Sequence, residues 1–282
     1  MNAPVDFSRV FDLVDCQLKK YPQQNALNYF ENGAWRSYSA HQIRENVNQL
    51  SSWLIDQGFI KGDCIAIIPR MGSARWMMID FACQQIGMIT VPIHPTATAD
   101  EMKFILDEVQ TKMCITADLP LFEKARTVFP LSHLYHLDTS HENFLAGFKV
   151  ATITPGAEDK LNRMRDSLQP DDTLCIMYTS GTSGTPKGAV LTHHNVVSNI
   201  KSILPLFPIR PGGRILSFLP FSHIFERTSC YAYFAFGASI FFAENLERLS
   251  HDFKTVRPYF ITCVPKTLER MYEFLEEQRQ QK

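Results

Sequence analysis

The sequence has almost no net charge, no long apolar run and no regular cysteine spacing, and each absence removes a class of function. Lys and Arg number 28 against 29 Asp and Glu, a formal net charge of -1. No overall field therefore draws in nucleic acid or an anionic membrane, and any phosphate chemistry has to come from a local site. No stretch approaches the roughly 18 consecutive apolar residues of a membrane-spanning helix, which leaves only peripheral contact with a membrane surface open. The seven cysteines, at positions 16, 64, 83, 114, 175, 230 and 263, are odd in number and contain no CxxC pair. They suit neither a disulfide framework nor a zinc site. Most fall in apolar runs such as Cys64-Ile65-Ala66-Ile67-Ile68 and read as small reduced core residues. Residues 1–10 carry no basic segment followed by an apolar one, the mark of a secretory signal. The expected location is cytoplasmic.

What is present is core-forming material: 45% hydrophobic residues, with 21 Phe, 9 Tyr and 3 Trp, too much for a disordered chain. Periodicity alternates between helix and strand. Ser39-Ala40-His41-Gln42 has capping-box form, Ile43, Val47, Leu50 and Leu54 follow at helical spacing, and Gly58 closes the helix. Cys64 to Ile68 is a short apolar strand, followed by a helix over roughly 73–85 and a strand near 88–91. Further apolar runs occupy 112–116 and 174–178. Strands without in/out alternation, separated by amphipathic helices, predict an α/β fold with mostly parallel sheets covered by helices on both faces. Downstream, Asn245 is expected to cap a helix carrying Leu246, Leu249, Phe253 and Val256, then a strand over 259–264 and a new helix at Pro265. Residues 140–170 have little periodicity and read as a connection.

The chemistry concentrates in Tyr178-Thr179-Ser180-Gly181-Thr182-Ser183-Gly184-Thr185-Pro186-Lys187-Gly188, between the apolar strand 174–178 and the run 189–192. Glycines let backbone N–H groups approach an anion, hydroxyls donate further hydrogen bonds, and a lysine supplies a mobile charge for terminal phosphates. The loop is not a Walker A motif, because Pro186 precedes Lys187 and Gly188 follows it, and no GxGxxG opens a helix. On composition alone a Ser/Thr/Gly loop is more often a flexible turn.

The order of residues is more specific than the composition. The segment resembles the signature loop of the adenylate-forming, or AMP-binding, superfamily, Tyr-Thr-Ser-Gly-Thr-Thr-Gly-x-Pro-Lys-Gly, departing only at Ser183, which keeps the hydroxyl. Asp171-Asp172 before the strand and Thr192-His193-His194-Asn195 after the loop also match family usage. Phe218-Leu219-Pro220-Phe221-Ser222-His223-Ile224-Phe225-Glu226-Arg227 resembles the next motif as long-chain fatty acid–CoA ligases carry it. Val264-Pro265-Lys266-Thr267-Leu268-Glu269-Arg270 is similar to a third motif of that branch. Taken singly, His223 would suit a satisfied loop histidine, and Glu226 with Arg227 a surface ion pair.

The resemblance implies ATP-dependent activation of a long-chain fatty acid to an acyl-adenylate, then transfer to coenzyme A. It implies that Thr179, Ser180, Gly181, Thr182, Ser183, Gly184, Thr185 and Lys187 hold ATP phosphates, and that Thr179 lies near Mg²⁺. Lys187 and His223 would be the catalytic residues, His223 beside the adenylate and acyl carboxylate. The resemblance covers only the N-terminal part of the family's adenylation domain. Residues 1–170 would form a first α/β subdomain, 171–192 the loop with its flanking strands, and 193–282 the start of a second. Tyr-Gly-x-Thr-Glu and Thr-Gly-Asp segments are missing, as is the C-terminal lid. Residues 276–282 carry no Gly, Pro or Asn to stop the last helix, which suits a chain cut inside a larger domain and a frayed C-terminal helix equally. With those segments missing, the resemblance implies an incomplete piece, catalytically crippled by itself. The alternatives are another adenylate-forming enzyme, an acyl-AMP or aryl-acid ligase, and a truncated, non-catalytic nucleotide-binding module.

Two further features are discounted. His133, His136 and His141 lack a fixed-spacing partner set for zinc. The Phe-rich run from Phe221 to Phe242 would suit an acyl tunnel, although a buried helix and strand explain such runs more often.

Overall fold

The structure is a computed structural model and describes residues 7–137, 155–179 and 186–280. Along the chain come α1 (Asp12–Lys20), β1 (Leu27–Glu31), β2 (Ala34–Tyr38), α2 (Ala40–Asp56), β3 (Cys64–Ile68), α3 (Ala74–Gln84), β4 (Ile89–Pro92), α4 (Ala99–Glu108), β5 (Met113–Thr116), α5 (Leu119–Ala125) and β6 (Leu134–His136). Then follow α6 (Pro155–Ser167), β7 (Thr173–Thr179), β8 (Lys187–Thr192), α7 (His193–Ile203), β9 (Arg214–Ser217), α8 (Ile224–Ala235), β10 (Ser239–Phe242), α9 (Leu249–Val256) and α10 (Pro265–Gln280).

Local chemistry sets many of these boundaries. The Ser39 hydroxyl accepts from Gln42 N while the Gln42 side chain accepts from Ser39 N, the reciprocal capping box that starts α2. Thr98 with Glu101 and Thr192 with Asn195 repeat the device at α4 and α7. β1 and β2 form a hairpin whose turn, Asn32-Gly33, has positive φ at both residues, 50° and 78°. That is the backbone demanded by the tight turns that match strand twist.

The strands form two sheets. One has the order β6-β5-β3-β4-β7-β8, parallel except for the antiparallel pair β7–β8. The other has the order β2-β1-β10-β9, with β1–β2 antiparallel and the remaining pairs parallel. The sheets cross the expected division at residues 170 and 192, because the hairpin of residues 27–38 pairs with β10. The α/β architecture itself is as expected.

α3 is apolar on nearly all sides: Trp76, Met77, Met78, Ile79, Phe81, Ala82 and Cys83 are all buried. A helix without a polar face has to lie between layers, and α3 touches β4 of one sheet and β1 of the other. Phe81 packs against Tyr231 and Phe234 of α8, so α3 and α8 share one core. The Phe-rich run becomes α8 and β10, with Phe221, Phe234 and Phe242 buried and Phe225 largely exposed. All seven cysteines are free and five are buried. Burial pushes the Cys114 thiol up to about 12.

Several local expectations change. Part of the 140–170 connection is helical: α6 lays Leu161, Met164 and the following Leu168 against the core as a narrow apolar stripe in a charged helix. Residues 140–154 lie outside the described residues. Asn245 accepts from Arg248 N at 2.9 Å in a turn ahead of α9, which therefore begins later, and Leu246 is exposed. The strand expected over 259–264 reduces to one parallel bridge, Phe260 beside Ile215; prolines at 258 and 265 bracket the segment and remove ladder donors. Leu268 of α10 is 58% exposed.

Candidate functional site

Parallel strands carry their side chains and following loops out at one edge, and in α/β sheets ligands collect beyond the C-terminal strand ends. Thr90 of β4 pairs with Cys175 of β7. His94 and Thr179, each four residues further on, therefore leave the sheet at the same edge. Thr179 is the last residue of β7 and is the ladder partner of Lys187, the first residue of β8. Both are exposed. The sequence-predicted loop is thus pinned at its base by a strand pair. Ser180, Gly181, Thr182, Ser183, Gly184 and Thr185 lie outside the described residues.

The hairpin beneath the loop is tightly fitted. A β-carbon on Gly188 would lie 2.8 Å from Ile176 Cγ2 and 3.1 Å from the Tyr178 ring, so only glycine lets β8 pass under that ring. Tyr178 is held in turn by donating its hydroxyl to Glu108. Burial, reinforced by that carboxylate, keeps the Tyr178 phenol protonated well above its ordinary range. At the opposite end of β7, Asp172 accepts from Gln169 N and pairs with Lys61 at 2.6 Å. Partial burial would raise its carboxyl pKa, but those two partners hold it below the ordinary value. Asp172 anchors the strand far from the loop.

His223 precedes α8 as its N-cap residue without making a side-chain cap. Its imidazole faces that of His94, with ring centroids 5.3 Å apart. The segment leading to it is tied to the other sheet, since Gly72 N donates to Leu219 O. Sequence reading singled out His223 but not His94; the available signal was its place just after an apolar strand, in Pro92-Ile93-His94-Pro95. Burial, then the neighbouring His223, lowers the His94 pKa below its ordinary value.

Glu226 and Arg227 are not the surface ion pair their sequence suggests. Both are buried, at 1% and 0% exposure, and each faces a different partner. Arg227 forms an ion pair with Asp80 of α3, also fully buried, and donates to the Thr90 hydroxyl of β4 and the Tyr231 hydroxyl. Burial alone would lower its pKa, but the Asp80 carboxylate raises it well above its ordinary value. Glu226 accepts from Ser217 of β9. Burial pushes its carboxyl up to about 7, against the lowering effect of the Ser217, Cys230 and Leu219 donors. Arg227 is buried because its Asp80 and Thr90 partners come from segments 147 and 137 residues away, and Glu226 because it turns inward to Ser217 of β9. Arg227 thereby fixes α8, which carries His223, to β4, which leads to His94.

Of the adjacent histidines, His193 starts α7 as expected and is buried. Its Nδ1 accepts from Val10 N at 3.2 Å, and burial lowers its pKa to about 4. His136 packs edge-on to Phe122, and His141 lies outside the described residues. Among the described residues no three His, Cys, Asp or Glu groups converge on one point. Thr179 offers a single hydroxyl, which suits a Mg²⁺ that arrives on nucleotide phosphates and keeps its waters rather than one held in a protein cage. No helix among the described residues is long and apolar enough to cross a membrane.

Comparison with known proteins places the chain in a family and matches its fold. Long chain acyl-CoA synthetase 7, peroxisomal, of Arabidopsis thaliana is 28% identical over 251 residues, 85% of this chain and 35% of that protein. Long-chain-fatty-acid–CoA ligase 1 of Cavia porcellus is 30% identical over 261 residues, 85% of this chain and 37% of that protein. The chain thus spans little more than a third of the length of these relatives. Among solved structures, the inhibitor-bound N-terminal domain of FACL13 from Mycobacterium tuberculosis superposes with a TM-score of 0.76 at 22% identity, over 94% of this chain and 65% of that one. A Mycobacterium tuberculosis fatty acyl CoA synthetase gives 0.76 at 23% identity, over 97% and 53%. Both share the fold. The AMP-binding enzyme family is matched over residues 14–282, and the chain belongs to that family.

Proposed function

We propose that this chain supplies the phosphate-binding loop and a carboxylate-binding histidine of a ligase that activates a long-chain fatty acid with ATP and passes it to coenzyme A. The observation that carries this reading is the Thr179–Lys187 ladder pair, which holds the ends of a glycine- and hydroxyl-rich segment together at the ligand edge of a parallel sheet. The relatives' names supply the substrate class.

In the first step one carboxylate oxygen bonds to the α-phosphorus of ATP, the bond to the bridging oxygen breaks, and pyrophosphate leaves with the electron pair. In the second, the coenzyme A sulfur bonds to the acyl carbon as AMP departs. Charge grows on the leaving pyrophosphate, and preorganised donors there stabilise the transition state. The backbone of Gly181 to Gly184 would cradle the β- and γ-phosphates, with the hydroxyls of Ser180 and Thr185 as added donors. Lys187 would neutralise developing charge, and His223 would hold the acid. Mg²⁺ enters as part of the nucleotide substrate, near Thr179.

The test is calorimetric titration of the chain with ATP–Mg²⁺, paired with pyrophosphate release in the presence of palmitate and coenzyme A. Binding that weakens about ten-fold or more in Lys187→Ala supports the loop assignment; equal affinity in the two proteins overturns it. Pyrophosphate release is expected only once the missing Tyr-Gly-x-Thr-Glu, Thr-Gly-Asp and lid segments are supplied in a longer fused form. Its absence there would reduce the reading to a nucleotide-binding module.

A further inference from the structure

His94 is an ionisable side chain brought against His223 that the motifs do not account for. It stands half-buried just beyond β4, with its ring 5.3 Å from that of His223 and inclined to it by 48°. One of its nitrogens is committed. Nδ1 accepts from Thr96 N at 3.3 Å and lies 2.7 Å from the Thr96 hydroxyl. Accepting at Nδ1 requires a lone pair there, so in the neutral ring the proton sits on Nε2. The short turn 94–96 therefore locks the tautomer and leaves an N–H donor at the far side of the ring.

His223 adds a second imidazole at the N-terminus of α8, a helix of 12 residues, and its side chain is not spent on capping. The helix end adds partial positive charge at the same place. A transition metal is a poor occupant, because no third His, Cys, Asp or Glu converges there among the described residues. An oxyanion is a good one: two N–H donors on neighbouring rings match the two oxygens of a carboxylate, and charge-assisted hydrogen bonds are the stronger kind. The buried Arg227–Asp80–Thr90 contacts set the spacing by fixing α8 to β4.

We propose that His94 is a second substrate-binding residue, and that His94 and His223 together clamp the carboxylate of the acid substrate while Thr96 holds the His94 tautomer. The proposal rests on the acid-activation reading above and adds the residue that reading lacks. It also predicts a division of labour across one sheet edge, with nucleotide phosphates at the β7–β8 loop and the acid at the β4–α8 histidines.

The experiment is imidazole NMR of the ¹⁵N-labelled chain, with histidine signals assigned by His94→Gln and His223→Gln, titrated separately with sodium octanoate and with AMP. ATP–Mg²⁺ affinity is measured on the same samples. The expected result is that octanoate moves both signals along one binding curve. His94→Phe, which keeps a ring but no donor, should weaken octanoate about ten-fold, whereas His94→Gln, which keeps an N–H, should lose about three-fold or less. Octanoate shifts confined to His223, or equal affinity in His94→Phe and the unsubstituted chain, would overturn the clamp. Shifts of the pair by AMP but not by octanoate would also overturn it, in favour of a phosphate contact. Failure of the activation reading looks different: the pair still responds to octanoate, while ATP–Mg²⁺ shows no Lys187-dependent binding.

Discussion

Thr179 and Lys187 face each other as the closing pair of the β7–β8 ladder, so both ends of the proposed phosphate loop rest on the same strand pairing. A lysine at the first position of β8 needs no separate element to aim it, because the hairpin delivers it to the loop. It is exposed, and substitutions at exposed positions usually change stability little. On the proposed reading, Lys187→Ala should leave the urea midpoint unchanged while lowering adenylation by the whole ligase by about 2–4 kcal/mol of transition-state stabilisation. Pyrophosphate release is the measurement, and an unaltered rate would remove the loop from the mechanism.

The hairpin itself is the next point of attack. Gly188 lies against Ile176 and the Tyr178 ring, and that ring is held by Glu108. Gly188→Ala forces one of them to move and should cost about 1–3 kcal/mol by overpacking. Because the displaced residues flank the loop, nucleotide affinity should fall along with stability. Gly188→Ala with full stability and full ATP binding would show that the hairpin gives way at no cost.

Much of this was legible in the residues, and what was not has a common cause. The Ser39–Gln42 capping box, the Cys64–Ile68 strand and the Pro265 helix start are local signals, each complete within a few residues. The loop motif is local in the same sense, since its residues are consecutive. The pairing of β1 with β10 and the bond from Arg227 to Asp80 join segments far apart in sequence, and nothing beside Arg227 announces that it is buried. The β1–β2 hairpin is a different case: Asn32-Gly33 marks it locally and could have been read. His94 carries little local signal, because a single histidine just beyond β4 acquires meaning only when His223 is brought against it.

The Arg227–Asp80 pair makes a separate prediction about stability. Both groups are fully buried, so removing one leaves the other as an uncompensated charge. Arg227→Met alone should destabilise the chain by about 3–5 kcal/mol, and the double variant Asp80→Leu, Arg227→Met should recover a large part of that loss. Urea unfolding of the two singles and the double closes the cycle. Additive losses would mean that the pair is not coupled in the folded chain.

Glu226 and His193 impose opposite pH dependences, which partly hide one another. The Glu226 carboxyl moves from its ordinary 4.5 up to about 7 on folding, so the folded state holds this proton more tightly than the unfolded chain. Its contribution is fully present below 4.5 and is lost as the pH rises through about 7, on the order of 3 kcal/mol in all. His193 falls from 6.5 to about 4. Its contribution is fully present above 6.5 and is lost as the pH falls through about 4. Between 4.5 and 6.5 the two oppose. Glu226→Gln should therefore make stability climb more steeply from pH 5 to pH 7 than it does in the unsubstituted chain. His193→Asn should tilt the same profile the other way. Urea unfolding at pH 5, 6 and 7 distinguishes them, and profiles parallel to that of the unsubstituted chain would mean that neither burial is maintained in solution.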